Sequence, residues 1–460
     1  MGKKTRVKRR DNLNQAASLA KSTSGALEGV ACSAKVTHYL SFPVVQAALL
    51  FLAVLAAYGH TLNFPFIFDD SSSIRANPAI YYLEDPASIW RFAPLRFVGY
   101  LTFALNYHWH RYDVFGYHAF NILIHFMAGI AVFSLCRGLV RSPGVSGKIS
   151  KSGVQWLPFL AALIFLLHPL QTQAVTYIVQ RLAALAALFY LGAMACYINA
   201  RLSRIRSQRF YWGAGTVALA LLAFFTKQNT VTLPIAILFL EMIFFPGNIN
   251  KKLLRGIAIS ALALAALYAV IVVGFNQTPF SLATLESLTK ETKTISRTQY
   301  LATQAEVIWT YIRLFFWPAG LHLDYDFPLA EGFGSVAVII AAAGHLILLG
   351  LALRYVKRFP FPVFALFFYY TAHLVESSLI PIRDVLFEHR TYLSNAGFCV
   401  GAAWGITRLA VNRKSWLILI TFLLVAGLGT LTWTRNLTWQ SARSVWLDRS
   451  EEHTSELQSR

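Results

Sequence analysis

The chain has 460 residues, 56% apolar and 13% charged, with a mean hydropathy of +0.51. Soluble globular domains hold roughly 45–50% apolar and about 25% charged residues, so a soluble enzyme is excluded, and this hydrophobicity excludes a disordered chain. The net charge of +20 would suit nucleic acid, but the cations prove to be distributed as a membrane protein distributes them.

Residues 1–40 open with a basic run, Lys3 to Arg10, that has no apolar core directly behind it. That pattern predicts a cytoplasmic tail touching anionic lipid rather than a signal peptide. Apolar runs then predict about eleven membrane spans within 41–435: 43–58, 119–136, 156–167, 182–199, 210–225, 229–245, 256–274, 335–353, 361–378, 392–410 and 416–434. The connections sort into two sets by alternate sides. One set, including 1–36, carries 25 Lys/Arg against 2 Asp/Glu, and the other carries 12 against 13. Short loops rich in Lys/Arg stay in the cytoplasm. The N-terminus is therefore expected inside and residues past 434 outside, and no nucleic-acid partner is expected.

Two external segments are long, 59–118 and 275–334. Within the second, 299–317 is long enough to span, but 318–334 would then be cytoplasmic while holding Asp324, Asp326, Glu331 and no Lys or Arg. Glu306 and Arg313 share one helical face, so this stretch is expected to lie in the outer interface or to re-enter from it. The first long loop, rich in Trp, Tyr, Phe, His and Arg over 86–118, predicts one or two interfacial helices over a cavity. Residues 436–448 read as the start of a linker. The string RSEEHTSELQS from Arg449 to Ser459 matches the in-frame translation of a sequencing-library adapter. Residues 449–460 are therefore left out of fold reasoning, and coding sequence is expected to continue past Asp448. Cys32, Cys136, Cys196 and Cys399 are scattered, with neither metal spacing nor a disulfide pattern.

The chemistry is expected on the external side. Asp69 and Asp70 follow Phe66-Ile67-Phe68 soon after the first span. A carboxylate beside another near low-dielectric lipid is driven toward a pKa that suits a base; a solvated turn before Ser71 is the alternative. Arg181, Lys227 and Arg390 are cations on the face that disfavours them, and together they would clamp phosphate. Pairing with Glu388 or with headgroups would also explain them. Oxygens from Asp69, Asp70, Asp324, Asp326 and Glu388 would suit a hard cation, but no spacing supports a metal site. Neither metal nor cofactor is expected.

These motifs come in a particular order. It runs through Phe68-Asp69-Asp70, Arg96-Phe97-Val98, Leu101 to Tyr107, Tyr117-His118, Asn121, His168-Pro169 through Val175, Arg181, Lys227, Val231 to Pro234, Leu323 to Asp326, and Glu388 to Leu393. The set resembles the transmembrane-and-tetratricopeptide-repeat O-mannosyltransferases and their bacterial relatives, in the GT-C superfamily, over roughly 40–440. The resemblance implies an all-α polytopic enzyme with a catalytic acidic pair in its first external loop. It implies a sugar carried on polyprenyl phosphate, an acceptor protein, and tetratricopeptide repeats after the last span. The family's eukaryotic members often have Glu where this chain has Gln173, and Lys-Glu where it has Lys227-Gln228.

The reading that follows is transfer of a hexose such as mannose to a Ser/Thr hydroxyl, with inversion. Asp69 would be the base, and Asp70 would hold a sugar or acceptor group or raise the pKa of Asp69. Arg181, Lys227, His389 and Arg390 would meet the donor phosphate. Arg96, His168, Asp324, Asp326 and Glu388 would line the substrate pocket. The rival is a transporter or flippase of lipid-linked sugars, which would call for internal repeats and midplane charges; neither is visible. The setting expected is a bacterial inner membrane with the C-terminus periplasmic, or the endoplasmic reticulum membrane for a eukaryotic source.

Overall fold

The computed structural model describes residues 42–247, 251–276, 294–378, 381–382, 384–411 and 413–448. The expectations for the tail 1–40 and for 449–460 lie outside the described residues, as does 277–293 of the second long loop. The chain divides into Met1–Leu49, described only from residue 42, and Leu50–Arg460, which holds every contact discussed below.

Helices and turns make up the described residues, with no strand among them. Helix α1 is Pro43–Tyr58. Two short helices follow, α2 (Pro86–Phe92) and α3 (Phe97–His110), then α4 (Val114–Leu139) and α5 (Lys151–Leu167). The one-and-a-half-turn α6 (Thr172–Thr176) leads into α7 (Arg181–Leu202), α8 (Arg206–Phe224), α9 (Leu233–Phe244) and α10 (Lys251–Asn276). After the second long loop come α11 (Arg297–Phe316), α12 (Val336–Tyr355), α13 (Pro360–His373), α14 (Thr391–Leu409) and α15 (Lys414–Leu437). Local sequence explains several starts. Asp113 accepts from the Phe115 N–H before α4, Ser150 from Gly153 N–H before α5, and Ser296 with Gln299 closes a capping box on α11.

Six of the described stretches are long and apolar enough to cross a membrane: Pro43–Asn63, Val114–Leu139, Ile178–Leu202, Leu254–Ile271, Val336–Tyr355 and Ser415–Gln440. A seventh arises if α5 and the segment Pro169–Thr176, bent by 57°, count as one span. The protein is thus an all-α multi-pass membrane protein, but the expected eleven spans exceed what length and hydropathy give. The shortfall has a physical cause. Helix α13 has 14 residues and α9 has 12, while α14 carries Ser394 and Asn395 on a turn shut off from solvent. A helix covered by other helices needs no lipid-like surface, so its apolar signal weakens. Helix α11 is also outside the six. Its inner face is tied to the bundle: Trp309 Nε1 donates to Ala341 O (3.0 Å), Ala305 O meets His345 Nε2 (2.8 Å) and Tyr369 Oη donates to Ile308 O (3.0 Å).

The packed centre joins α4 to α5 and α7, α7 to α8, α5 to α14, and α14 to α13. Close approach needs small residues. A Cβ on Gly129 of α4 would sit 2.6 Å from Leu166, and one on Gly397 of α14 would sit 2.8 Å from the Ala365 carbonyl oxygen. Polar bolts complete the joints. His125 bridges Tyr392 Oη (2.7 Å) and Leu166 O (3.0 Å), and Asn436 links Ala57 O (3.1 Å) to Thr176 Oγ1 (2.6 Å).

Candidate functional site

The expected site residues gather at one end of the bundle, around the bend between α5 and α6. The bend follows from sequence: Pro169 cannot donate a backbone hydrogen bond, so the helix stops. His168 then caps the next turn, accepting Leu170 N–H at Nδ1 (3.3 Å). Its other nitrogen must carry the proton, and it lies 2.9 Å from Phe315 O, with the ring stacked flat on Phe315 at 4.7 Å. Both nitrogens of His168 are used by backbone, so the residue expected in the substrate pocket is placed as a joint between α5 and α11.

Asp69 and Asp70 have opposite surroundings. Phe68 has φ 51°, a left-handed conformation rare for a bulky residue. Beyond it Asp69 is exposed and Asp70 is 1% exposed. The Asp70 carboxylate accepts Ile67 N–H (3.0 Å) and Val179 N–H (2.7 Å), tying the loop to the start of α7. Burial, helped by the charge of Asp69, pushes the Asp70 carboxyl up to about 7, against those two donors and Arg181. The Asp69 N–H donates to Tyr177 Oη (3.0 Å). Asp70 therefore anchors the loop, and Asp69 is the carboxylate presented to solvent.

Arg181 is fully buried. Its Nε donates to Asn121 Oδ1 (2.6 Å), Nη1 to Asn106 Oδ1 (2.6 Å) and Thr102 O (3.2 Å), and Nη2 to Tyr117 O (3.0 Å). The guanidinium lies 4.5 Å from the Phe103 ring centroid. It fastens α3 and α4 to the start of α7 and faces protein on every side.

The other cations come together around His389. Burial, helped by the charges of Lys227, Arg390 and Arg96, holds the His389 imidazole well below its usual pKa, so the ring is neutral. Lys227 Nζ pairs with Glu376 Oε1 (2.6 Å). Arg390 donates to Asp384 O (2.6 Å) and Val385 O (3.2 Å). Arg96 is half-buried at the start of α3, with no carboxylate within ion-pair distance among the described residues. Glu388, fully buried, accepts from Tyr325 Oη (2.7 Å), and burial raises its carboxyl above the usual range. Asp324 and Asp326 flank Tyr325; Asp324 is half-buried and Asp326 exposed. Among the described residues no three His, Cys, Asp or Glu side chains converge as metal ligands would.

The short α6 joins the two parts. Gln173 Oε1 accepts His389 N–H (2.6 Å) while its Nε2 donates to Leu323 O (2.9 Å), and four residues on Tyr177 meets Asp69. Sequence reasoning did not assign Tyr177, nor Arg435, which lies 3.8 Å from Glu388. Arg435 was findable: an arginine directly after the apolar run 416–434 calls for a partner.

The chain is similar to protein O-mannosyl-transferases. It is 25% identical over 414 residues to protein O-mannosyl-transferase F38B6.6 of Caenorhabditis elegans, covering 85% of this chain and 55% of that one. It is 24% identical over 451 residues to mouse protein O-mannosyl-transferase TMTC3, covering 87% and 47%. Over 170 residues it is 32% identical to protein O-mannosyl-transferase Tmtc3 of Drosophila melanogaster, covering 32% and 18%. The resemblance drawn from the ordered motifs is thus to this family. The chain spans about half the length of the relatives that it matches most extensively. No family model matches it, and no solved structure does.

Proposed function

We propose that the chain transfers mannose from a polyprenyl phosphate to a protein hydroxyl, at the outer face of its membrane. The observation that carries this is the placement of α6, which holds the exposed Asp69 through Tyr177 and the cation cluster through Gln173 and His389. The names of the relatives supply the sugar and the acceptor class; the lipid carrier is what the family resemblance implies, and the outer location rests on the charge bias of the loops.

In this mechanism Asp69 takes the proton of the acceptor hydroxyl as its oxygen attacks the anomeric carbon. The bond from that carbon to the phosphate oxygen breaks, and the polyprenyl phosphate leaves with its electron pair. Arg96, Lys227 and Arg390 stabilise the growing negative charge in a site partly shielded from water. His389, neutral, spends its one ring N–H on Gln173 Oε1 (3.1 Å) and leaves Nε2 as an acceptor for a sugar hydroxyl rather than a donor to the phosphate. Attack opposite the leaving group inverts the anomeric centre. Asp70 and Arg181 set the loop and α7 in place without touching substrate.

Purified protein incubated with a panel of polyprenyl-phosphate sugars and a Ser/Thr peptide tests the reading. Glycosylated peptide and free polyprenyl phosphate should appear together. Asp69→Asn should lower the rate by about 10²–10⁴ with an unchanged melting temperature, as expected for loss of a general base. Movement of intact lipid-linked sugar across proteoliposomes, with no release of phosphate lipid, would replace the enzyme with a transporter.

A further inference from the structure

The segment after α15 does not leave the bundle. A 3-10 turn, Thr438–Gln440, and a short helix over 442–448 fold back across the Asp69 loop. Trp439, 2% exposed, stacks on Tyr177 at 5.4 Å, the same Tyr177 whose hydroxyl holds the Asp69 amide. Val445 is buried in one cluster with Ile67, Val179 and Leu323, and Trp446 packs on Phe68 at 5.0 Å. Residues 67, 68 and 69 are thus gripped from the C-terminal side.

The same segment reaches the cation cluster through charge. Both oxygens of Asp448 accept from Arg435 Nη1, at 3.1 and 3.0 Å. The other arm of that guanidinium, Nη2, stands 3.8 Å from Glu388 Oε1. Glu388 opens the turn Glu388–Arg390 that carries His389 and Arg390. The Arg435 side chain is 7% exposed, so neither contact is diluted by solvent. A fork is what two acids on different segments require, because a lysine offers a single charged point.

We infer that 438–448 is a strap that sets the spacing between Asp69 and the phosphate-binding cations, with Trp446, Asp448 and Arg435 as its positioning residues. The inference rests on the function proposed above. The strap touches no reacting atom; it acts through Phe68 and Tyr177 at one end and Glu388 at the other. Its loss should therefore slow the chemical step while leaving capture of the donor lipid intact.

Trp446 is half-exposed, so Trp446→Ala should fold. In the full chain, Trp446→Ala and Asp448→Asn should each reduce kcat by about tenfold to a hundredfold, the cost of a misplaced reacting group. KM for polyprenyl-phosphate mannose should stay within about twofold, and Trp446→Phe should restore most of kcat. Wild-type kcat in both variants, or a loss confined to KM, overturns the inference. Hydrogen exchange of the 67–73 amides provides a readout that needs no activity. Exchange should quicken in both variants, and unchanged exchange rejects the strap. If the wild type transfers no sugar while exchange still responds to Trp446 and Asp448, the functional reading fails and the strap stands.

Discussion

Arg181 and Arg390 have equal standing in the sequence, each a cation on the side where cations are disfavoured, each at the start of a membrane helix. Their surroundings differ. Around Arg181 the neutral acceptors of Asn121, Asn106, Thr102 and Tyr117 take up the donors, and the nearby Asp70 is itself saturated by backbone. Around His389, Lys227 pairs with Glu376, Arg390 lies near Glu376 and Asp384, and Glu388 on the same turn faces Arg435. A guanidinium surrounded by protein dipoles is a fastener. A cluster of cations around a neutral imidazole is where the function proposed above seats the donor phosphate. Residue type alone does not separate the two; the count of acceptors within reach does.

Breaking the fastener should have the largest effect. Arg181→Met leaves the buried amide oxygens of Asn121 and Asn106 without donors, at about 1–3 kcal/mol each when orphaned, while Thr102 O and Tyr117 O keep their helix N–H partners. We expect stability to fall by about 2–6 kcal/mol, seen as a drop in melting temperature in detergent. Donor affinity of the folded fraction should not change. An Arg181→Met protein that melts normally but no longer binds donor would erase the distinction between the two regions.

Asp70 gives a pH test on the same side of the comparison. Its carboxyl is raised in the fold to about 7, so folding favours the protonated form. That contribution is full below the unfolded value near 4 and is lost as pH rises to about 7. The loss should be on the order of 4 kcal/mol across that window. Asp70→Asn should flatten the dependence of melting temperature on pH between 4 and 7. A wild type whose stability rises steadily across that window would show that the two N–H donors, not burial, decide the state of Asp70.

The smallest effect sharpens the other region. Arg96→Gln removes a half-buried cation that holds no carboxylate among the described residues. Donor binding should weaken about tenfold, the scale of one hydrogen bond to a charged group, while stability shifts by less than about 0.5 kcal/mol. Binding of polyprenyl-phosphate sugar at two salt concentrations measures it. Equal affinity in wild type and variant would remove Arg96 from the cluster.

Much of this was legible in the chain. Long apolar runs such as Val114–Leu139 and Val336–Tyr355 stand out because lipid-facing helices must be apolar all round. Helices α13 and α14 were legible too, as the spans expected over 361–378 and 392–410, although neighbours supply their covering and neither is among the six stretches long and apolar enough to cross a membrane. The convergence of Asp69, Lys227 and Arg390 on one end was visible from their loops. The protein partners of His168 and Arg181 were not, because they include carbonyls from Phe315, Thr102 and Tyr117, and backbone atoms carry no sequence signal. Residues 436–448 read as a linker for a similar reason. Trp439 and Trp446 suit a membrane surface as well as they suit Tyr177 and Phe68, and only the return of the chain decides between them.

The left-handed turn at Phe68 has a consequence for how such a loop can change over time. Two neighbouring aspartates are chemically twins, and a single peptide of unusual handedness sends one to water and the other into the protein. That handedness is held by aromatic grip rather than by glycine, at a cost on the order of 1–2 kcal/mol for a side chain in this region. A glycine at 68 would adopt the turn without that strain, but it would surrender the ring that Trp446 grasps. The identities of base and anchor are thus inherited through position 68 and its partner 378 residues later, and a change at either calls for an answering change at the other.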